Sequence, residues 1–240
     1  MKSKKINPIH YLLKYNYPTK VKFWDNSERI TSRSIYKLFK HWRKKPERIE
    51  ESDKAYTSYS GGDVIDIGSY LGWYAVLLCP KAKPGSNFIC IEPNPEAYPR
   101  LLQNLRALAI LFPTLKFWAI PQPIGNGGFV SLVHHKGYHP TFHSSSIPDT
   151  NSTKTFLLDN LCDVFNIKPS FIKVDVEGAE AYVLEGAIET LKNASTWFIE
   201  LHPTILPEGI DPEKIESLME SNDFKKIAVD KSHIIYTKTS

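Results

Sequence analysis

Residues 64–76 read VIDIGSYLGWYAV. An apolar run carries one acid, Asp66, then come two glycines, Gly68 and Gly72, and then apolar residues resume. A strand, a tight turn and the opening of a helix in this order form the usual cradle for a nucleotide-like ligand. The position between the glycines, where a pyrophosphate-binding loop often carries a third, holds Tyr70.

The spacing decides which ligand suits the loop. A dinucleotide fingerprint needs G-x-G-x-x-G so that backbone amides can close on a pyrophosphate. Here the pattern is Asp66-x-Gly68-x-x-x-Gly72, and a carboxylate at a strand end is a poor neighbour for phosphate. It suits a cation. S-adenosylmethionine carries a positive sulfonium and an α-amino group and no phosphate, so the loop favours a methyl donor over NAD. The next apolar run ends FICIEPNP, with Glu92 26 residues after Asp66. An acid at the end of a second strand is placed to accept both ribose hydroxyls of a nucleoside.

Outward from this pair the chain alternates. VIDI, FICIE, LKFWAI, IKVDVE, WFIEL, FKKIAV and HIIYT read as strands. YLGWYAVLLC, AYPRLLQNLRALAILF, AEAYVLEGAIETLKN and PEKIESLMES read as helices. Repeated strand–helix units imply a largely parallel sheet covered on both faces. Only Asp230-Lys231-Ser232 separates the last two strands, too short for a crossover, so they are expected to form an antiparallel hairpin. Residues 125–154 break the rhythm and read as a β-like or irregular insertion of the kind that forms lids and binding loops. Its His134, His135, His139 and His143, with Ser144, Ser145 and Ser146, are candidates to contact an acceptor.

The 240 residues suffice for one sizeable domain, expected over 61–240. Residues 1–60 read as an extension. Within them a turn-like Asp25-Asn26-Ser27 signals a weak hairpin, and Ile35, Leu38, Phe39 and Trp42 form one face of a helix. PERIEESDKAYTSYSGG reads as a polar approach to the domain. The net charge of +4 is uneven: residues 1–45 alone carry +11. A basic arm on a mildly acidic domain points to nucleic acid, an anionic membrane surface or a phosphorylated substrate. No apolar run approaches the ~18 residues needed to span a bilayer, and no signal peptide is read at the start. Three scattered cysteines suggest neither a disulfide framework nor a zinc site, so a cytoplasmic location is expected. The sequons at Asn151 and Asn193 are then coincidental.

IKVDVEGAE is the most specific run. Alternation along a strand would aim Lys173, Asp175 and Glu177 to one side. Three charges there need either one another or a ligand. WFIELHP would likewise place Glu200 and His202 together. With VIDIGSYLG, ICIEPNP and the later Asn104, LLDNL before Cys162, IKVDVEGAE with Leu184 and Gly186, and IELHP, the chain resembles the FkbM family of S-adenosylmethionine-dependent methyltransferases over roughly residues 60–202.

The resemblance implies an α/β fold: a seven-stranded, mostly parallel Rossmann-like sheet in the order 3-2-1-4-5-7-6, helices on both faces and the last strand antiparallel. It implies a donor site at Asp66, Gly68, Ser69, Tyr70, Gly72, Glu92, Pro93, Asn94, Gln122 and Asp175, and O-methylation of a hydroxyl on a sugar, glycan or natural product. Family members usually carry a small or amide residue where this chain has Tyr70. A weakly nucleophilic hydroxyl benefits from a base. His202, tuned by Glu200 or Asp175, can serve, as can Asp175 or Glu177. A divalent ion on Asp175, Glu177, Glu200 and His202 is chemically reasonable, but acids beside a cationic donor have another use, and no metal is assigned. Two alternatives stand: an RNA 2′-O-methyltransferase, against which no Arg-plus-aromatic RNA module is recognisable, and a non-catalytic donor-binding protein.

The basic arm makes its own prediction, for a lipid-linked or phosphorylated acceptor held near an anionic surface. Each basic side chain there contributes on the order of 1 kcal/mol, and salt screens it. Liposomes containing anionic lipid should sediment the chain at low salt and release it at high salt, and deleting residues 1–33 should weaken the association. Failure to sediment at any salt concentration rules the membrane role out.

Overall fold

In the computed structural model the described residues are 21–22, 28–29, 46–133, 141–145, 152–206, 211–230 and 232–239. Two short strands, β1 (Val21–Lys22) and β2 (Glu28–Arg29), pair antiparallel at the expected hairpin. The amphipathic face Ile35–Trp42 lies outside the described residues, as do His134, His135, His139 and Ser146.

Helix α1 (Pro46–Ser58) precedes strand β3 (Val64–Ile67) and helix α2 (Trp73–Leu78). Strand β4 (Asn87–Ile91), helix α3 (Tyr98–Leu111) and strand β5 (Lys116–Ile120) complete the first half. After an insertion of three strands, β6 (Phe129–Val133), β7 (Thr141–Ser145) and β8 (Ser152–Lys154), comes helix α4 (Leu158–Phe165). Then follow β9 (Phe171–Val174), α5 (Glu180–Glu185), α6 (Ile188–Asn193), β10 (Thr196–Glu200), α7 (Pro212–Ser221), β11 (Phe224–Ala228) and β12 (His233–Lys238).

Seven strands form one sheet in the order β11-β12-β10-β9-β3-β4-β5. Counted along the sheet strands alone, this is 3-2-1-4-5-7-6, as the resemblance implied. β12 runs antiparallel to both β10 and β11, and the pairs among β5, β4, β3, β9 and β10 are parallel. Alternation sorts the strand residues between two cores. Val64, Phe88, Phe171, Phe198 and Ile235 pack against α1, α2 and α3. Ile65, Ile89, Ile172, Trp197 and Tyr236 pack against α4 to α7. Strands buried on both faces therefore read as continuous apolar runs.

The elements depart from the sequence reading in two places. Residues 46–58, read as a polar approach, form α1, and Ala55 and Tyr59 are fully buried against the sheet. Its polar residues hid this because they find partners far along the chain: Ser52 accepts from Trp73 Nε1 at 3.3 Å, and Glu51 accepts from the Tyr74 hydroxyl. The helix read over 179–193 is two helices, broken at Gly186, where an added Cβ would meet Gly125 O at 2.1 Å. The insertion, read as β-like or irregular, is β-like in its described residues, an antiparallel sheet in the order β7-β6-β8.

One polar cluster ties α1 to the sheet edge. His233 Nε2 lies 3.0 Å from Glu200 and 3.5 Å from Glu51, and its Nδ1 lies 2.8 Å from Asp230. Burial alone would lower the His233 pKa, but Glu200, Glu51 and Asp230 raise it to about 9. A histidine raised from 6.5 in this way adds its stability in full below pH 6.5 and loses it as pH rises through about 9. Urea unfolding should therefore show lower stability at pH 10 than at pH 7, by on the order of 2–3 kcal/mol from this residue. His233→Gln should be less stable at pH 7 and should lose less over the same interval.

Candidate functional site

The glycine loop follows β3 because its backbone must turn away before the neighbouring strand's end. Gly68 has φ +78°, and a Cβ there would lie 1.7 Å from Asp175 O. No side chain fits. Tyr70 is also left-handed, at φ +48°. Its N–H donates to Glu92 Oε2 at 2.7 Å, and its ring is 45% exposed. The tyrosine thus leaves the backbone contact of the loop intact. Asn104 of α3 donates to Leu71 O at 2.8 Å and holds the loop from below.

Glu92 is buried and accepts from both Tyr70 N and Asn94 N, at 2.7 and 2.9 Å. Burial raises its pKa, against the pull of those two amides. Each carboxylate oxygen can accept again, so Glu92 retains capacity for a diol. Asp66 is 1% exposed, and neither of its carboxylate oxygens has a hydrogen-bond partner among the described residues. Burial raises its pKa, opposed chiefly by Lys173, whose Nζ is 3.7 Å away. An orphaned buried carboxylate beside a glycine loop fits a cationic, phosphate-free ligand.

The other loop residues divide. Ser69 turns back, its hydroxyl donating to Asp66 O at 2.6 Å. Pro93 and Asn94 are half-buried beside Glu92, and Asn94 Oδ1 accepts from Glu96 N. Gln122 reaches the insertion and donates to Lys154 O.

β9 ends at Val174, so strand alternation does not carry Asp175 and Glu177, and Glu177 has φ +52°. The charges converge by another route. Lys173 Nζ donates to Gly68 O at 2.8 Å and to Asp175 Oδ2 at 3.0 Å, and sits 5.4 Å from the Tyr74 ring centre. Burial would lower the pKa of this ammonium, but Asp175 and Asp66 hold it above the usual lysine value. His202 Nε2 lies 3.9 Å from Asp175 and 3.5 Å from Glu177. These three residues present ligand atoms within 4.8 Å of one another, a set able to hold a metal ion.

Glu200 was expected beside His202. It pairs with His233 instead, directly across β12. The residue that sets His202 is Glu180, whose Oε1 is 2.8 Å from His202 Nδ1 and also accepts from Gly178 N. Glu180 is fully buried. Burial would lower the His202 pKa, and Glu180, Asp175 and Glu177 together raise it to about 9. An acid in the first turn of a helix is ordinarily solvated, so the sequence carried no sign that Glu180 turns inward.

Sheet order, glycine loop and acids at the carboxyl edge are together those of a methyltransferase. The Methyltransferase FkbM domain matches residues 66–226, and the chain belongs to that family. It is 29% identical over 181 residues to the hexuronic acid methyltransferase AglP of Haloferax volcanii, covering 72% of this chain and 70% of that protein. A crystal structure of methyltransferase FkbM from Methylobacillus flagellatus matches 85% of this chain with a TM-score of 0.51 at 17% identity, a likeness of fold alone. The chain spans about half of that protein, 53% of its length.

Removing the Lys173 charge should show what holds the site together. Lys173→Met leaves Asp66 and Asp175 without their buried cation. Urea unfolding at pH 7 should reveal a loss of about 3–5 kcal/mol. A loss below about 1 kcal/mol, the range of an exposed pair, would contradict the geometry.

Proposed function

We propose that this chain is an S-adenosylmethionine-dependent O-methyltransferase whose acceptor is a saccharide. The observation that carries the reading is the meeting of two sets of side chains around one loop. Asp66 and Glu92, at the ends of β3 and β4, would serve the donor, and Asp175, Glu177 and His202, just after β9 and β10, would serve the acceptor. Asp66 would face the positive amino acid end of the donor, and Glu92 its ribose hydroxyls. When bound, S-adenosylmethionine supplies an electrophilic methyl carbon: an acceptor oxygen's electron pair forms the C–O bond, and the C–S pair stays on sulfur.

The chain's own part is to position the acceptor oxygen and take its proton. Holding two reactants aligned within ~3–3.5 Å supplies much of such a rate enhancement. His202 keeps its proton to about pH 9, so at neutral pH the groups able to accept a proton are the carboxylates of Asp175 and Glu177. His202, fixed by Glu180, orients them. A sugar acid, the substrate class in the name of the Haloferax volcanii relative, carries hydroxyls of the kind such a site would deprotonate. The expected acceptor is therefore a glycan or glycan precursor, free or carried on lipid or phosphate.

Two variants separate donor from acceptor functions. Glu92→Ala should weaken S-adenosylmethionine binding by isothermal titration at least tenfold, about 1.4 kcal/mol. His202→Gln should leave that affinity nearly intact and lower turnover on the order of 100-fold, measured as radiolabelled methyl transfer to uronic-acid-bearing oligosaccharides. Methylation of RNA and of no saccharide would replace the proposed acceptor, and absence of donor binding would end the proposal.

A further inference from the structure

We propose that Asp175, Glu177 and His202 form a divalent-cation site that holds the acceptor oxygen. The cation site deepens the reading above and rests on it for the acceptor, not for the ion. The first argument is distance. A proton shared between Nε2 and a carboxylate draws the two to ~2.7–3.2 Å. The observed separations are 3.5 Å to Glu177 and 3.9 Å to Asp175. Two ligands each ~2.1 Å from one hard cation lie ~3.0 Å apart when adjacent and ~4.2 Å apart when opposite. Both separations fall inside that interval, and all three ligand atoms lie within 4.8 Å of one another.

The second argument comes from outside the three residues. Glu180, wholly buried, occupies His202 Nδ1 at 2.8 Å and is itself pinned by Gly178 N at 3.0 Å. This leaves Nε2 as the nitrogen that faces Asp175 and Glu177. A carboxylate on the far nitrogen is the usual device that fixes the ring of a metal-binding histidine and raises its basicity. An ion at Nε2 takes the place of that nitrogen's proton.

The third argument is charge. Asp175, Glu177 and Glu180 make the acceptor side acidic, with Lys173 already engaged by Asp175 and Gly68 O. An acidic saccharide would be repelled there. A divalent cation reverses the sign locally, and the three half-buried ligands leave coordination positions open for two acceptor oxygens. Two carboxylate oxygens and one imidazole nitrogen suit Mn2+ or Mg2+. The step served is loss of the acceptor's O–H proton. The electron pair stays on the oxygen, which the cation stabilises, and the proton passes to a carboxylate oxygen not on the cation.

The test reads the ion directly, with neither donor nor acceptor present. The full chain, stripped with EDTA and dialysed, is titrated with Mn2+ alone while free Mn2+ is followed by electron paramagnetic resonance. One site per chain is expected. Glu177→Gln and His202→Gln should each weaken it at least tenfold, Glu180→Gln should weaken it too, and the surface variant Glu189→Gln should not. Circular dichroism checks folding, and half-buried Glu177→Gln serves if a buried variant unfolds. Lack of Mn2+ binding at millimolar concentration, or binding untouched by Glu177→Gln and His202→Gln, overturns the site. Methyl transfer that persists in EDTA also overturns the cation's role while leaving the proposed function standing. Mn2+ binding without methyl transfer to any saccharide leaves the site standing and removes the function.

Discussion

The ammonium of Lys173 is the contact on which the site depends. It is buried at the centre of the sheet and reaches three groups from three places: Gly68 O in the glycine loop, Asp175 at the end of β9, and Asp66 in β3. A buried charge of this kind persists only where its partners are fixed. The loop and the β9 end are therefore held as one body, and the 1.7 Å that a Gly68 Cβ would leave to Asp175 O shows how closely they meet. The glycine loop and the acids after β9 share a wall, and Lys173 is in it.

Among the described residues a histidine sits among carboxylates at His202 and at His233, in different settings. His233 is buried and meets Asp230 at 2.8 Å and Glu200 at 3.0 Å. These two contacts are hydrogen bonds, and Glu51 of α1 stands 3.5 Å from the same ring, so the cluster ties α1 to the start of β12. His202 has one such contact, to Glu180, and two longer ones that face the half-open site. Both imidazoles are pushed to about 9 by the same cause. What differs is the setting: His233 is buried with an acid within 3.0 Å of each ring nitrogen, whereas His202 is half-buried and its Nε2 has no acid closer than 3.5 Å among the described residues.

Much of this was legible from residue order. The apolar runs at 64–67, 87–91, 171–174 and 196–200 gave the strands, since a strand buried on both faces has no room for polar residues. The short Asp230-Lys231-Ser232 link gave the antiparallel hairpin. Asp66, Gly68, Gly72 and Glu92 gave the loop and its acid, because their spacing is local to two strand ends. The reading failed where partners lie far apart in sequence. Residues 46–58 looked solvated because Tyr74 and Trp73, which meet Glu51 and Ser52, lie 23 and 21 residues further along the chain. Glu200 and His202 looked like neighbours because alternation was carried beyond the strand.

The sequence by itself determined the sheet, its two apolar faces and the glycine loop with its two acids, because each follows from spacing within a few residues. Only the tertiary structure decided which acid governs which histidine. That choice depends on how β9, α5 and the segment after β10 end in space, and the point where a strand stops alternating is set by the packing of its neighbours. Glu180 turns inward and Glu200 turns to His233 for this reason, and the setting of His202 beside Asp175 and Glu177 follows from it.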